Sequence, residues 1–289
     1  MRIFVTGASG FIGSAVVAEL AGAGHQVTGL ARSPESARAI EAAGATPQHG
    51  DLADLDSLRA AAEKADAVAH LAFHHDFTDY ANANDLDRNA ITALGEALAG
   101  SDRALVVTSG MAALGSGGLI TESDAASPGV PRTSEAAGLP FAERGVRVVG
   151  LRLPPSVHGI GDHGFVPRLI EIARETGVAG YPGDGSHRWP AVHRLDAARA
   201  FRLVIEGDIP AGSIVHAVAE EGIATRDIAA AIGSGLGLPV RAAEPEHFGW
   251  LGAFFALDMA ASSEQTRKAL GWNPTEIGLL DDLAQGHYF

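Results

Sequence analysis

Gly7, Gly10 and Gly13 stand in the run TGASGFIG, between the apolar stretch RIFVT and an Ala-rich stretch with helix-forming character. The chemistry this spacing serves is phosphate binding. Gly7 permits a tight turn, Gly10 lets backbone approach a pyrophosphate, and Gly13 lets helix and strand pack closely. The backbone of Ser9, Phe11 and Ile12 then offers N–H groups at the positive end of a helix dipole.

The residues that would meet the rest of a dinucleotide follow at later strand ends. The second apolar stretch closes as GLARS, with Arg32 where an NAD-preferring site places an acid, and Ser33 beside it. A guanidinium suits a 2′-phosphate, so the expected cofactor is NADP(H). Asp51 and Leu52, in HGDL, are expected at the adenine edge. Leu71, Ala72 and Phe73 should pass the ribose and pyrophosphate, and Thr108, Pro154 and Val157 complete the expected contacts.

Hydride transfer also needs a group that stabilises an oxyanion and a group that supplies a proton. Arg132 opens a predicted helix and could clamp an oxyanion, although a guanidinium cannot readily give up a proton. Histidine is the natural donor near neutral pH. Of the 12 histidines, His74, His75, His158 and His163 fall in segments expected at the mouth of the site. His74 is the first choice, because strand carboxyl ends face the reacting group in open α/β sheets. Each of them also has a plain reading as a loop or core histidine. His74, His75 and Asp76 are adjacent rather than spaced i, i+4, and no His-Glu-x-x-His occurs, so no metal site is expected.

The elements that must position these groups alternate. Short apolar runs (RIFVTG, QVTGLA, ATPQHGD, AVAHLA, ALVVTSG and VRVVGLRL) are separated by helical stretches near 11–23, 34 onward, 54 onward and 81–99. Alternation of this kind means crossover connections and a parallel sheet covered on both faces. The expected fold is α/β, a Rossmann-type doubly wound sheet with a smaller mixed α/β region towards the C-terminus. The first region is expected over 1–154 with a helix returning at about 190–212, and the substrate region over 155–189 and 213–289.

Composition narrows the partners. The formal charge of −14 with only two lysines, Lys64 and Lys268, argues against nucleic acid and against anionic membrane surfaces. No apolar run reaches the roughly 18 residues of a membrane span. No charged-then-apolar leader opens the chain, so the expected location is cytoplasmic. With no cysteine there are no disulfides, thiol nucleophiles or thiolate–metal sites.

With TGASGFIG, GDL, AHLA, VVTSG and LRLPPSVHG in this order, the chain resembles the short-chain dehydrogenase/reductase superfamily. Its glycine spacing is that of the extended or atypical branch. RWPAVHRLDAARAF resembles a late segment of extended members, so the likeness covers essentially the whole chain. More narrowly, the sequence is similar to an atypical subgroup in which a basic His-x-x-x-Arg replaces the usual Tyr-x-x-x-Lys. The resemblance implies a hydroxyl near the end of the fifth strand, an Asn on the long helix before it (Asn89) and a Tyr–Lys pair after it. It also implies a homodimer formed through helices of the first region.

The chain departs from that pattern at the chemistry. Its three tyrosines, Tyr80, Tyr181 and Tyr288, are not followed by Lys four residues on, and Pro128 stands four before Arg132. Direct alignment puts Gly110 at the hydroxyl position, and a one-residue shift puts Ser109 there. The expected catalytic set is therefore Ser109, Arg132 and His74. Pocket contacts are expected from Met111, His158, Phe165 and, in GDGSHRWP, Arg188 and Trp189. Together they suit a partly apolar small-molecule substrate. Three functional readings stand. The first is an NADP(H)-dependent oxidoreductase acting on a carbonyl, enone or imine. The others are a non-catalytic NADP(H)-binding redox sensor and an epimerase or dehydratase with transient hydride transfer.

Overall fold

A computed structural model describes residues 1–74, 79–111, 114, 118–126 and 133–289. The first half alternates as its sequence pattern requires. β1 (Arg2–Thr6) is followed by α1 (Phe11–Gly22), β2 (Gln26–Ala31), α2 (Pro34–Ala42), β3 (Thr46–His49) and α3 (Leu55–Lys64). Then come β4 (Ala67–His70), α4 (Tyr80–Leu98), β5 (Ala104–Gly110), the short α5 (Ser134–Gly138) and β6 (Arg147–Leu153). The helix starts are chemically marked. Ser33 accepts from the Ser36 amide to cap α2, and Asp54 accepts from the Ser57 amide to cap α3.

The second half mixes element types. β7 (Ser156–His158), α6 (Phe165–Thr176), β8 (Ala179–Pro182) and β9 (Arg188–His193) lead to α7 (Arg194–Glu206) and β10 (Ser213–His216). They are followed by β11 (Glu220–Ala224), α8 (Thr225–Leu236) and β12 (Val240–Ala243).

Seven strands form one parallel sheet in the order β10-β6-β5-β4-β1-β2-β3. β10 comes from SIVH, just past the expected end of the returning segment, and extends the six-stranded pattern by one. The strand order reverses at β1, which lies between β4 and β2. The carboxyl ends of β1 and β4 therefore open the crevice where doubly wound sheets bind ligands.

The alternating pleat sorts the strand residues into two cores. Ile3, Val5, Val106 and Val149 pack with Val16, Leu20 and Phe201 on the α1 and α7 side. Phe4, Val68, Leu105, Val107 and Val148 pack with Leu58, Ile91, Leu94 and Phe141 on the side of α3, α4 and α5. A third core, around Trp189, Phe248 and Phe255, holds the smaller lobe, whose sheets are β11-β9-β7 and β12-β8. Met111, just past β5, packs into that third core, and an isolated bridge joins Ile120 to Ala261, so the two lobes are continuous.

Candidate active site

At the carboxyl end of β1 the chain turns through Gly7 with φ +69°, a left-handed conformation that favours glycine. The fit there is close. A Cβ on Gly7 would lie 2.7 Å from the Ala72 nitrogen, and one on Gly13 would lie 1.9 Å from the Gly7 carbonyl oxygen. The N-terminus of α1 is thereby pressed onto the ends of β1 and β4. Gly10 brings no side chain to cap the helix, and the first turn carries no acid. Phe11, Ile12 and Gly13 thus present a helix N-terminus with anion-binding character, and the close glycine contacts are what a dinucleotide's pyrophosphate requires.

The remaining expected cofactor residues are distributed along the same edge. Arg32 is exposed at the end of β2, with no ion pair among the described residues, and Ser33 is engaged in its capping box. Asp51 is exposed and accepts from the Ala53 amide at 3.0 Å, while Leu52 packs beneath it. Leu71 and Ala72 are held by Thr6, whose carbonyl accepts the Leu71 amide and whose hydroxyl accepts the Ala72 amide at 3.2 Å. The Phe73 ring lies 5.7 Å from Tyr80. Thr108 is buried in β5, Pro154 is buried after β6, and Val157 is half-buried.

Of the expected catalytic groups, Ser109 is 5% exposed and shares a strand face with Leu105 and Val107, the face covered by α4 and α5. In the sheet it is paired with Arg152. Asn89 lies on the exposed side of α4. His74 is exposed after Phe73, whereas Arg132, His75 and Asp76 lie outside the described residues.

The pocket residues are placed differently from the sequence expectation. Met111, His158 and Trp189 are at most 1% exposed, so their side chains serve packing in the smaller lobe. Apolar volume draws the first and last inward. His158 is held there by Asp282, whose carboxylate lies 2.9 Å from its Nδ1, and burial lowers its pKa despite that partner. Arg188 is closed by a bidentate pair with Asp258 at 2.9 and 2.7 Å. Phe165 remains half-buried, 4.7 Å from the Phe254 ring and 6.2 Å from Trp250, which is 54% exposed.

Beside His163 and Phe11, which the sequence places near the site, several groups escape the sequence reading. The loop after β7 reaches the glycine turn: the His163 ring lies 5.8 Å edge-on to Phe11, and the Arg194 guanidinium lies 5.1 Å from the centre of the same Phe11 ring. In the same loop burial pushes Asp162 up to about 6, while bonds from the Gly164 amide and the Tyr288 hydroxyl oppose the rise. On the strand beside Ser109, Arg152 is paired with Glu135 and reaches His216, 3.3 Å away. Apart from the Gly164–Asp162 bond, these contacts join residues at least 17 positions apart in sequence, so no local pattern announces them. A depression of about 630 Å³ at the opposite, amino ends of β1–β3 is lined by Arg2, His25, Gln48 and Lys64 and lies away from all these groups.

Residues 3–216 match the family model for the NAD dependent epimerase/dehydratase family. A Schizosaccharomyces pombe protein is 50% identical over 296 aligned positions, covering 100% of both chains. The 2′-dehydrokanamycin reductase of Streptomyces kanamyceticus is 28% identical over 308 positions, covering 99% of this chain and 80% of that one. Among solved structures, the NAD-bound dTDP-glucose 4,6-dehydratase of Streptomyces venezuelae superposes with a TM-score of 0.80 at 23% identity, covering 99% of this chain and 96% of that one. That likeness is one of fold.

Proposed function

The chain belongs to the NAD dependent epimerase/dehydratase family, and from that premise we propose that it is an NADP(H)-dependent oxidoreductase of the atypical short-chain kind. It reduces a small or medium, partly apolar carbonyl, enone or imine without a Tyr–Lys pair. The observation that carries the reading is the glycine turn: Gly7 seated against Ala72, Gly13 against Gly7, and an uncapped α1 N-terminus beside them. Arg32, exposed at the end of β2 where an acid would select NAD, supports the phosphorylated cofactor. The NAD in the solved relatives is the competing choice, and the Arg32 test below separates the two.

When bound, the nicotinamide cofactor supplies the hydride. This chain's residues hold and orient. The backbone at Ser9–Gly13 takes the pyrophosphate, Arg32 and Ser33 the 2′-phosphate, Asp51 and Leu52 the adenine side, and Leu71–Phe73 the ribose side. Ser109, on the α4/α5 face of β5, is the hydroxyl that would serve the reacting position. Arg132 supplies positive charge to a developing oxyanion, and His74 a proton. Phe165, Phe254 and the exposed Trp250 support an apolar part of the substrate. Reductase names among the relatives, 2′-dehydrokanamycin reductase and a 2-alkyl-3-oxoalkanoate reductase of Stenotrophomonas maltophilia, favour net reduction over epimerisation.

The test is deuteride transfer from C4-deuterated NADPH to a panel of ketones, enones and imines, read by mass spectrometry. Label in a product is expected. Tight NADPH binding with no label in any product would replace this reading with that of a redox sensor.

A further inference from the structure

Asp87 is a carboxylate on α4, 1% exposed, that the cofactor reading leaves unused. Its Oδ1 lies 3.1 Å from Nε2 of His70, and its Oδ2 accepts from the Ser134 hydroxyl at 2.6 Å. Nδ1 of His70 lies 2.8 Å from the Thr6 hydroxyl, which in turn accepts from the Ala72 amide. Thr6, His70 and Ser134 are all fully buried. With an ionised Asp87 and a neutral imidazole, only one arrangement of protons satisfies this chain. The Ala72 N–H points to Thr6, Thr6 donates to Nδ1, and His70 carries its proton on Nε2 and gives it to Asp87.

A buried carboxylate and histidine are not needed to stabilise such a place, because apolar side chains of similar volume usually serve as well or better. What the chain does is fix position. Thr6 holds the Leu71–Ala72 peptide from one side, and Gly7 bounds it from the other, with space for no Cβ between them. Ala72 therefore has almost no freedom to move without closing or opening the phosphate turn.

We propose that Asp87 and His70 are positioning residues for the dinucleotide. Acting through Thr6, they set the Leu71–Ala72 floor against Gly7, and through Ser134 they tie that floor to the start of α5. The inference rests on the dinucleotide reading above.

The test compares NADPH and NADH affinity and thermal stability in four forms of the full chain: wild type, the double variant His70→Leu/Asp87→Leu, His70→Gln and Thr6→Val. The double variant avoids a lone buried charge but leaves the Thr6 and Ser134 hydroxyls without their acceptors, so Tm should fall by several degrees while the chain still folds. Affinity should fall about tenfold or more, the loss expected when a positioned hydrogen bond is removed. In His70→Gln the amide can donate to Asp87 and accept from Thr6, and affinity should return to within about threefold of wild type. Thr6→Val keeps shape and strand preference but removes the acceptor for Ala72. It should lose affinity and speed exchange of the Ala72 amide, which keeps the inference testable should the double variant not fold. Nitrogen-15 spectra of the wild type should show His70 protonated on Nε2. Affinity equal to wild type in a folded double variant, or in Thr6→Val, would overturn the proposal. A wild type that binds neither nucleotide would instead overturn the cofactor reading, and the two failures are thus distinct.

Discussion

Glu135 and Arg152 meet through two parallel hydrogen bonds of 2.7 and 2.8 Å, with their side chains only 8% and 1% exposed. The residue before Glu135, Ser134, gives its hydroxyl to Asp87 on the other side. A five-residue helix cannot be stable by itself, and α5 is instead held from β6 and from α4.

Replacing one partner of that pair should therefore cost far more than replacing both. Arg152→Met leaves the Glu135 carboxylate buried without its cation, which costs about 3–5 kcal/mol in comparable pairs. Adding Glu135→Leu should recover most of the loss. Denaturant unfolding of the single and double variants checks this, and equal stability of the two would contradict it.

The glycine turn makes a sharper demand. Gly13→Ala improves helix propensity by about 1 kcal/mol in an open helix. Here the new Cβ would sit 1.9 Å from the Gly7 carbonyl oxygen, inside any permitted contact. The expected outcome is a lower Tm together with loss of nucleotide binding, measured by calorimetry and by NADPH fluorescence. A Gly13→Ala protein that binds normally would show that the turn does not hold the pyrophosphate.

On the NADP(H) reading proposed above, cofactor choice rests on Arg32. Arg32→Ala should reduce the preference for NADPH over NADH by about tenfold, as expected for losing a charged hydrogen-bonding partner of the 2′-phosphate. Titration of both nucleotides against wild type and variant is sufficient. An unchanged ratio would remove Arg32 from recognition.

Acid should act on Asp162 in the opposite sense to an ordinary paired carboxylate. Its value in the folded protein, about 6, lies above the ordinary value near 4. Between those values the folded state binds the extra proton, so stability from this group is complete below about pH 4 and is lost as pH rises through about 6. Asp162→Asn removes the buried charge. A shift of that size converts to about 3 kcal/mol at most, and because the side chain keeps some solvent contact about 1–2 kcal/mol is expected. The variant should be more stable than wild type at pH 8 and equal to it near pH 4. Tm measured across this range checks the sign, and a constant offset at all pH values would contradict it.

Much of this molecule follows from local pattern alone. Apolar runs alternating with helix-forming stretches require a parallel sheet, because each crossover must cover a face. The three glycines announce the tight strand–helix turn because steric demand there is local: one residue's φ and two close contacts decide it. The pattern also shows that a Tyr–Lys pair is missing, since composition is complete information about what is absent. It does not show β10, whose four residues are too short to be distinguished from a loop until β6 lies beside them. Nor does it separate pocket walls from core: Trp189 and Phe165 are both large aromatics in one segment, yet one is fully buried and the other is not. The histidine in AVAHLA did carry a signal, a polar residue inside an otherwise apolar strand. Its meaning depends on Thr6 and Asp87, 64 and 17 residues away. Burial and hydrogen-bond partners are properties of packed surfaces, and only the tertiary structure could decide that His70 faces a carboxylate, that Arg188 is closed by Asp258, and that α5 is held by its two polar anchors.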